Sequence, residues 1–274
     1  MNASQSPHPA LRAEGVSLAY DRRVVVENLS VTIPRGKVTV IVGPNGCGKS
    51  TLLRGFARLL PPTRGTFFVE GERLAAMPLK ESAKRLGLLP QQPIAPEGIT
   101  VRDLVGRGRH PHQGLFRRFT DADRHAVGRA LTETGTLELA SRDVAELSGG
   151  QRQRVWIALA LAQETPILLL DEPTTYLDLA HQMDVLSLVL KTQRERGGSV
   201  VMVLHDLNLA ARFADHLIAM RGGRVVGEGR PEDVLTREAV REIFGLESTV
   251  TECPETGKPL VVPASTAAER TSHA

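Results

Sequence analysis

Short unbroken apolar runs recur along this chain, each followed by a polar or glycine-rich turn and then by positions with helical spacing. Lys37 to Val42, Ile167 to Leu170 and Ser199 to Leu204 predict strands buried on both faces of a parallel sheet, because a strand with one wet face would alternate. The first leads through glycines into a helical pattern, Ser50 to Leu60, that stops at Pro61-Pro62. Strand, loop and helix in that order make a βα unit. Arg23 to Val26 and Leu29 to Ile33 are β-branched stretches between polar turns and predict a small antiparallel sheet within Leu11 to Pro34. From about Ile99 to Ala160 the apolar positions Val101, Leu104, Val105, Ala130, Leu131 and Leu137 take helical spacing. This predicts a helical lobe inserted into a doubly wound α/β core. After His205 come a helix over Leu207 to Phe213, a hairpin at Arg221-Gly222-Gly223-Arg224, and a last helical stretch from Pro231 to Phe244. Residues 1–10, polar with two prolines, and residues 264–274 read as disordered ends of one domain spanning 11–263.

Composition narrows the picture without changing it. The chain has 274 residues, is 41% hydrophobic and carries a net charge of +3, too small an excess to build a field for nucleic acid. The cysteines are Cys47 and Cys253; the first lies inside a glycine-rich loop, where a crosslink would obstruct the loop, so a reducing compartment is expected. No run of the sequence is long and apolar enough to span a bilayer, and the start lacks the apolar stretch of a secretory signal.

The chemistry begins at Gly43-Pro44-Asn45-Gly46-Cys47-Gly48-Lys49-Ser50, which fits G-x-x-x-x-G-K-[ST] between a predicted strand and a predicted helix, the context that motif requires. Its glycines let consecutive N–H groups converge on phosphate oxygens at the positive end of the helix. Lys49 supplies a charge to the β- and γ-phosphates of ATP, Ser50 a hard oxygen for Mg²⁺, and Thr51 a donor to the α-phosphate region. A merely connecting turn would not need the Lys-Ser ending.

Leu168 to Leu170 is an apolar strand that delivers Asp171 and Glu172 at its C-terminal end, where ligands sit in open α/β sheets. Neighbours on a strand point opposite ways, so Asp171 is expected to hold Mg²⁺ while Glu172 polarises the attacking water. Acids at a strand end also serve as helix caps, and only the phosphate loop upstream disfavours that reading. Gln91, beside Gln92, follows the run Leu86 to Leu89 and could reach metal or water. His205 ends the run Ser199 to Leu204, where an imidazole could donate to the γ-phosphate and hold Glu172 in line.

Leu147-Ser148-Gly149-Gly150-Gln151 precedes a helical run, Arg152 to Ala162, and offers a second helix N-terminus to an anion. One nucleotide already has a cradle. A second clamp makes sense if it closes over the ATP of another subunit, the alternative being an ordinary serine cap.

Over residues 11–263 the chain resembles the nucleotide-binding subunit of ABC transporters. Gly43 to Thr51 is similar to that family's Walker A, Gln91 to its Q-loop, Leu147 to Gln151 to its signature, Ile167 to Glu172 to its Walker B, Thr175-Tyr176-Leu177-Asp178 to its D-loop and His205 to its H-loop. The resemblance implies a P-loop NTPase (RecA-like) core with an N-terminal antiparallel subdomain and an inserted helical subdomain. It places Tyr20 against adenine, and two cassettes head to tail with each ATP between one Walker A and the other signature, with Asp178 beside it. Pro96 to Val105, Gly108-Arg109-His110-Pro111 and Glu172 to Gln182 are similar to importers of iron chelates, haem and vitamin B12, above all the ferric siderophore branch. That implies two membrane permeases as partners, a substrate-binding protein, a peripheral position on the cytoplasmic face of the membrane, and a permease groove within Gln91 to about Pro111. Arg107, Arg109, Arg117 and Arg118 make a basic cluster expected to be a solvated face, the alternative being a surface turned to the membrane or the permease. The rival readings are a haem or cobalamin importer, an exporter, and a non-transport ATPase of the same family acting on nucleic acid or the ribosome, which would usually carry a coiled coil or fused cassettes. A P-loop kinase would lack the signature.

Overall fold

A computed structural model describes residues 8–114, 119–175 and 177–264. The N-terminal part forms β1 (Leu11–Tyr20), β2 (Arg23–Ile33), β3 (Val38–Val42), α1 (Lys49–Phe56), β4 (Arg64–Val69) and β5 (Glu72–Arg73). Next come α2 (Leu79–Arg85), β6 (Leu86–Leu89), α3 (Val101–Gly106), α4 (Asp121–Glu133), α5 (Gly149–Ala162), β7 (Ile167–Asp171) and α6 (Leu179–Glu195). The chain continues through β8 (Ser199–Val203), α7 (Leu207–Phe213), β9 (His216–Arg221), β10 (Arg224–Gly229), α8 (Pro231–Val234), α9 (Arg237–Phe244), β11 (Ser248–Glu252) and β12 (Pro259–Pro263).

The central sheet runs β10-β9-β3-β8-β7-β6. All neighbours in it are parallel except β10 on β9, so β3, β8, β7 and β6 end side by side along one edge. The unbroken apolar runs have a direct cause, because both faces of this sheet are covered. Ile41, Leu169, Val201 and Ile218 face α1 and the antiparallel sheet β2-β1-β4-β5. Val40, Leu168, Leu170, Val200 and Met202 face the other way, into a core shared with α5, α6 and α7. Phe56, fully buried, closes the first layer edge-on against Phe67 with ring centroids 4.8 Å apart; truncating such a side chain costs roughly 3–5 kcal/mol.

Between β6 and β7 the described residues form helices and turns, with Thr100 and Asp143 making an isolated bridge. Val101, Leu104 and Val105 pack in one core with Val127, Leu131 and Val155. Arg109 departs from its sequence expectation. It is 5% exposed, its Nε 2.9 Å from Asp123 Oδ1 and its Nη1 bonded to Ala162 O and Glu164 Oε2. A basic residue in a basic stretch is thus the buried tie between α4 and the end of α5, while Arg117 and Arg118 lie outside the described residues.

Other expectations shift by a turn or less. The first helix ends at Phe56, with Arg58 in the left-handed region, so Pro61 stops nothing. What reads as two strands is one continuous β2. The stretch Pro231 to Phe244 is two helices because Thr236 accepts from Ala239 N and starts the second. Ala10 is buried and bonded to Ile33 and Glu70, and Ala264 N donates to Glu247 O, so neither residue belongs to a loose end. Residues 1–7 and 265–274 of the two expected ends lie outside the described residues.

Candidate functional site

The loop after β3 is shaped by its glycines. Gly43 has φ +151°, and a Cβ there would lie 2.1 Å from Met220 O; Gly48, at φ +104°, turns the chain into α1 without any side-chain cap. The first amides of α1 are therefore free for an anion. Pro44, Asn45 and Gly46 form the turn, in which Cys47 N donates to Pro44 O. Cys47 is buried, and burial pushes its thiol up against the opposing charge of Lys49, so it stays a neutral filler beside Gly43. Lys49 is 4% exposed, and its Nζ donates to Gly43 O at 2.8 Å and Pro44 O at 3.0 Å. Among the described residues no carboxylate pairs with it. A buried ammonium solvated only by carbonyls is a strong site for an incoming phosphate.

Beside the loop, Ser50 Oγ donates to Asp171 Oδ1 at 2.7 Å. Burial pushes the Asp171 carboxyl up and the Glu172 charge adds to this, while the Ser50 hydroxyl opposes both. Two hard oxygens in contact suit a hexacoordinate cation that also takes phosphate oxygens. Among the described residues no cluster of three or more His, Cys, Asp or Glu offers a metal cage by itself.

Glu172 does not follow strand alternation. The strand ends at Asp171, and Glu172 has φ +52°, so a left-handed turn sets its direction. A side chain in that region costs of order 1 kcal/mol. His205 Nε2 lies 2.6 Å from Glu172 Oε1, Gln91 Nε2 donates to Oε2 at 2.7 Å, and Thr175 Oγ1 reaches Oε2 at 3.3 Å. Groups from the ends of β6, β7 and β8 thus converge on one carboxylate, which can still accept a proton through its remaining lone pairs.

Asn45, Gly46, Gly48, Lys49, Ser50, Thr51, Gln91, Glu172 and His205 line one cavity of about 720 Å³. Sequence reasoning missed its other wall, which Arg23, Val24 and Val25 of β2 and Gly222-Gly223 of the β9–β10 turn provide. Gly223 N donates to Cys47 O at 3.0 Å, and a Cβ on Gly223 would stand 2.3 Å from Val25 O. The paired glycines were visible as a hairpin signal; their closeness to the loop was not.

Other expected residues lie elsewhere. Tyr20 does not line the cavity; its hydroxyl accepts from Arg54 at 3.1 Å. Ser148 caps α5, accepting from Gln151 N while Gln151 Oε1 accepts from Ser148 N; with Gly149 and Gly150 they too are absent from the cavity wall. Asp178 caps α6, bonded to the backbone and ring of His181, and Tyr176 lies outside the described residues.

Residues 26–175 match the family model described as "ABC transporter". The ferric enterobactin transport ATP-binding protein FepC of Escherichia coli (strain K12) is 50% identical over 263 residues, covering 96% of this chain and 97% of its own. A transporter chain in an inward-facing conformation, described as of the metal-chelate type, matches with TM-score 0.80 at 30% identity, covering 94% of this chain and 98% of that one. A bacterial ABC transporter cassette solved as a dimer matches with TM-score 0.72 at 29% identity over 80% of this chain and 98% of its own.

Proposed function

This chain belongs to the ABC transporter family as an ATP-binding subunit whose ATP hydrolysis is coupled to transport, and we propose that it powers uptake of an iron(III)-siderophore complex. In this reading it works as a cassette dimer on the cytoplasmic face of the membrane, under two integral-membrane permeases fed by a substrate-binding protein, with no nucleic-acid partner. No helix among the described residues is long and apolar enough to cross a membrane itself.

One observation carries the mechanism. The cavity gathers Lys49, Ser50, Gln91, Glu172 and His205, yet the Ser148–Gln151 helix start lies outside it, with Ser148 and Gly149 exposed. Each nucleotide site is therefore half built, and the clamp of a second copy completes it. Lys49 and the amides through Thr51 hold the β- and γ-phosphates. Ser50 and Asp171, with the amide oxygen of Gln91, would hold Mg²⁺, which would supply charge neutralisation on the phosphates. Glu172 takes a proton from the attacking water, while His205 and Gln91 fix its carboxylate in place. Tyr20, freed from Arg54, meets adenine, and Asp178 faces the partner's nucleotide. ATP draws the copies together because its γ-phosphate recruits donors from both, and hydrolysis lets them part.

The ferric enterobactin relative, at 50% identity over nearly the whole length of both chains, supports the cargo. The test is reconstitution with the cognate permeases in liposomes. A binding protein loaded with ferric siderophore should stimulate ATP hydrolysis and iron accumulation. Stimulation by haem or cobalamin instead would change the cargo, and stimulation only by nucleic acid or ribosomes would overturn the transport reading.

A further inference from the structure

His205 approaches Glu172 from a short exposed stretch, His205-Asp206, between buried Leu204 and buried Leu209. It follows the end of β8, is exposed, and precedes Asp206, the cap of α7, whose Oδ1 accepts from Asn208 N at 2.7 Å and Leu209 N at 2.9 Å. On the side towards Thr174, Thr175 and Gln182, His205 and Asp206 face a cavity of about 250 Å³, while Leu209 is buried in the large core. The place of the exposed imidazole therefore depends on how firmly the first turn of α7 is held.

The restraint comes from the far end of the chain. Asn208 Nδ2 donates to Val261 O at 3.2 Å, and Val261 N donates to Asn208 Oδ1 at 2.8 Å. A side-chain amide offers a donor and an acceptor side by side, so Asn208 bonds Val261 as one residue of a further strand would. β12 pairs otherwise with β11 alone. Val261 is itself buried in the large core, which anchors the hairpin. The first turn of α7 is thus tied by its third residue after His205 to a hairpin that touches no nucleotide group.

We infer that Asn208 is a positioning residue for His205, and that the hairpin β11–β12 braces the hydrolytic step through it. This rests on the reading of His205 given above. Loss of the tie leaves Lys49, Ser50 and the loop amides untouched, so nucleotide binding is spared. It loosens the first turn of α7 and lets the exposed His205 shift towards the neighbouring cavity, so the step that needs Glu172 held in line slows.

The experiment compares the full-length protein with Asn208→Ala, Asn208→Asp, His205→Ala and the two double variants, in single turnover at high enzyme concentration so that slow rates stay measurable. Asn208→Ala should lower the rate of hydrolysis roughly three- to thirtyfold, as expected for the loss of hydrogen bonds, with ATP affinity within about twofold. Asn208→Asp keeps the acceptor for Val261 N and should fall between, which serves if Asn208→Ala folds poorly. In the His205→Ala background either substitution should change nothing further, because the residue being positioned is gone. An unchanged rate, a loss of affinity in place of rate, or the same loss in both backgrounds would overturn the brace alone. If His205→Ala hydrolyses ATP at the full rate, the reading of His205 fails first.

Discussion

His205 Nε2 stands 2.6 Å from Glu172 Oε1, closer than Gln91 or Thr175 come to the other oxygen. An imidazole on one side and an amide on the other leave the carboxylate little freedom to rotate.

Replacing that carboxylate by an amide keeps the shape and, in the proposed mechanism, removes the base. Glu172→Gln should bind ATP as the parent does, hydrolyse it roughly 10²- to 10⁴-fold more slowly, and elute as a dimer in ATP during gel filtration. Parental turnover would remove Glu172 from its role.

If the site is shared between copies, two defective chains should repair each other. Lys49→Ala removes the cation of one half-site and Ser148→Arg blocks the clamp of the other, so each alone should fail. Mixed, they form dimers in which one site carries both defects and the other none. Equilibrium dialysis of the mixture should recover about one ATP per mixed dimer in line with this linkage, and no recovery would place both groups in the same chain's site.

The tie between Arg109 and Asp123 predicts how the helical lobe responds to acid. Burial opposes ionisation of Asp123, but bonds from Thr120 and Arg109 outweigh it and hold the carboxyl below the usual range. A group depressed on folding stabilises fully above its unfolded value, about 4, and loses that contribution as pH falls through the lower folded value. Asp123→Asn should therefore cost about 3 kcal/mol near neutrality. Urea melts at a series of pH values should show the two proteins converging below about pH 4.

Gly43 tests the shape of the loop. A methyl group there meets Met220 O at 2.1 Å in a backbone region closed to alanine. Gly43→Ala should lose ATP binding at least about a hundredfold by titration calorimetry, since the loop must move to relieve the contact.

Much of this was legible because it is local. A run of apolar residues, three glycines and Lys49-Ser50 state strand, loop and helix within a few positions, and Leu168 to Leu170 shows no alternation because both of its faces are covered. Arg109 was not legible, since Asp123 and Glu164 reach it from distant parts of the chain. Glu172 misled a period-two argument, because the strand stops one residue before it. The hairpin β11–β12 left little pattern, as Val261 is its one deeply buried apolar residue among the described ones. Asn208 looks like any polar residue on a helix until Val261 is placed opposite.

The turn between β9 and β10 has a length it cannot change. Gly223 touches the phosphate loop through Cys47 and the strand β2 through Val25, so segments far apart in sequence fit together at one small residue. Homologous chains that accept insertions in other surface hairpins should keep this one fixed, and a single residue added there would part the nucleotide pocket's two walls like a shim driven into a hinge.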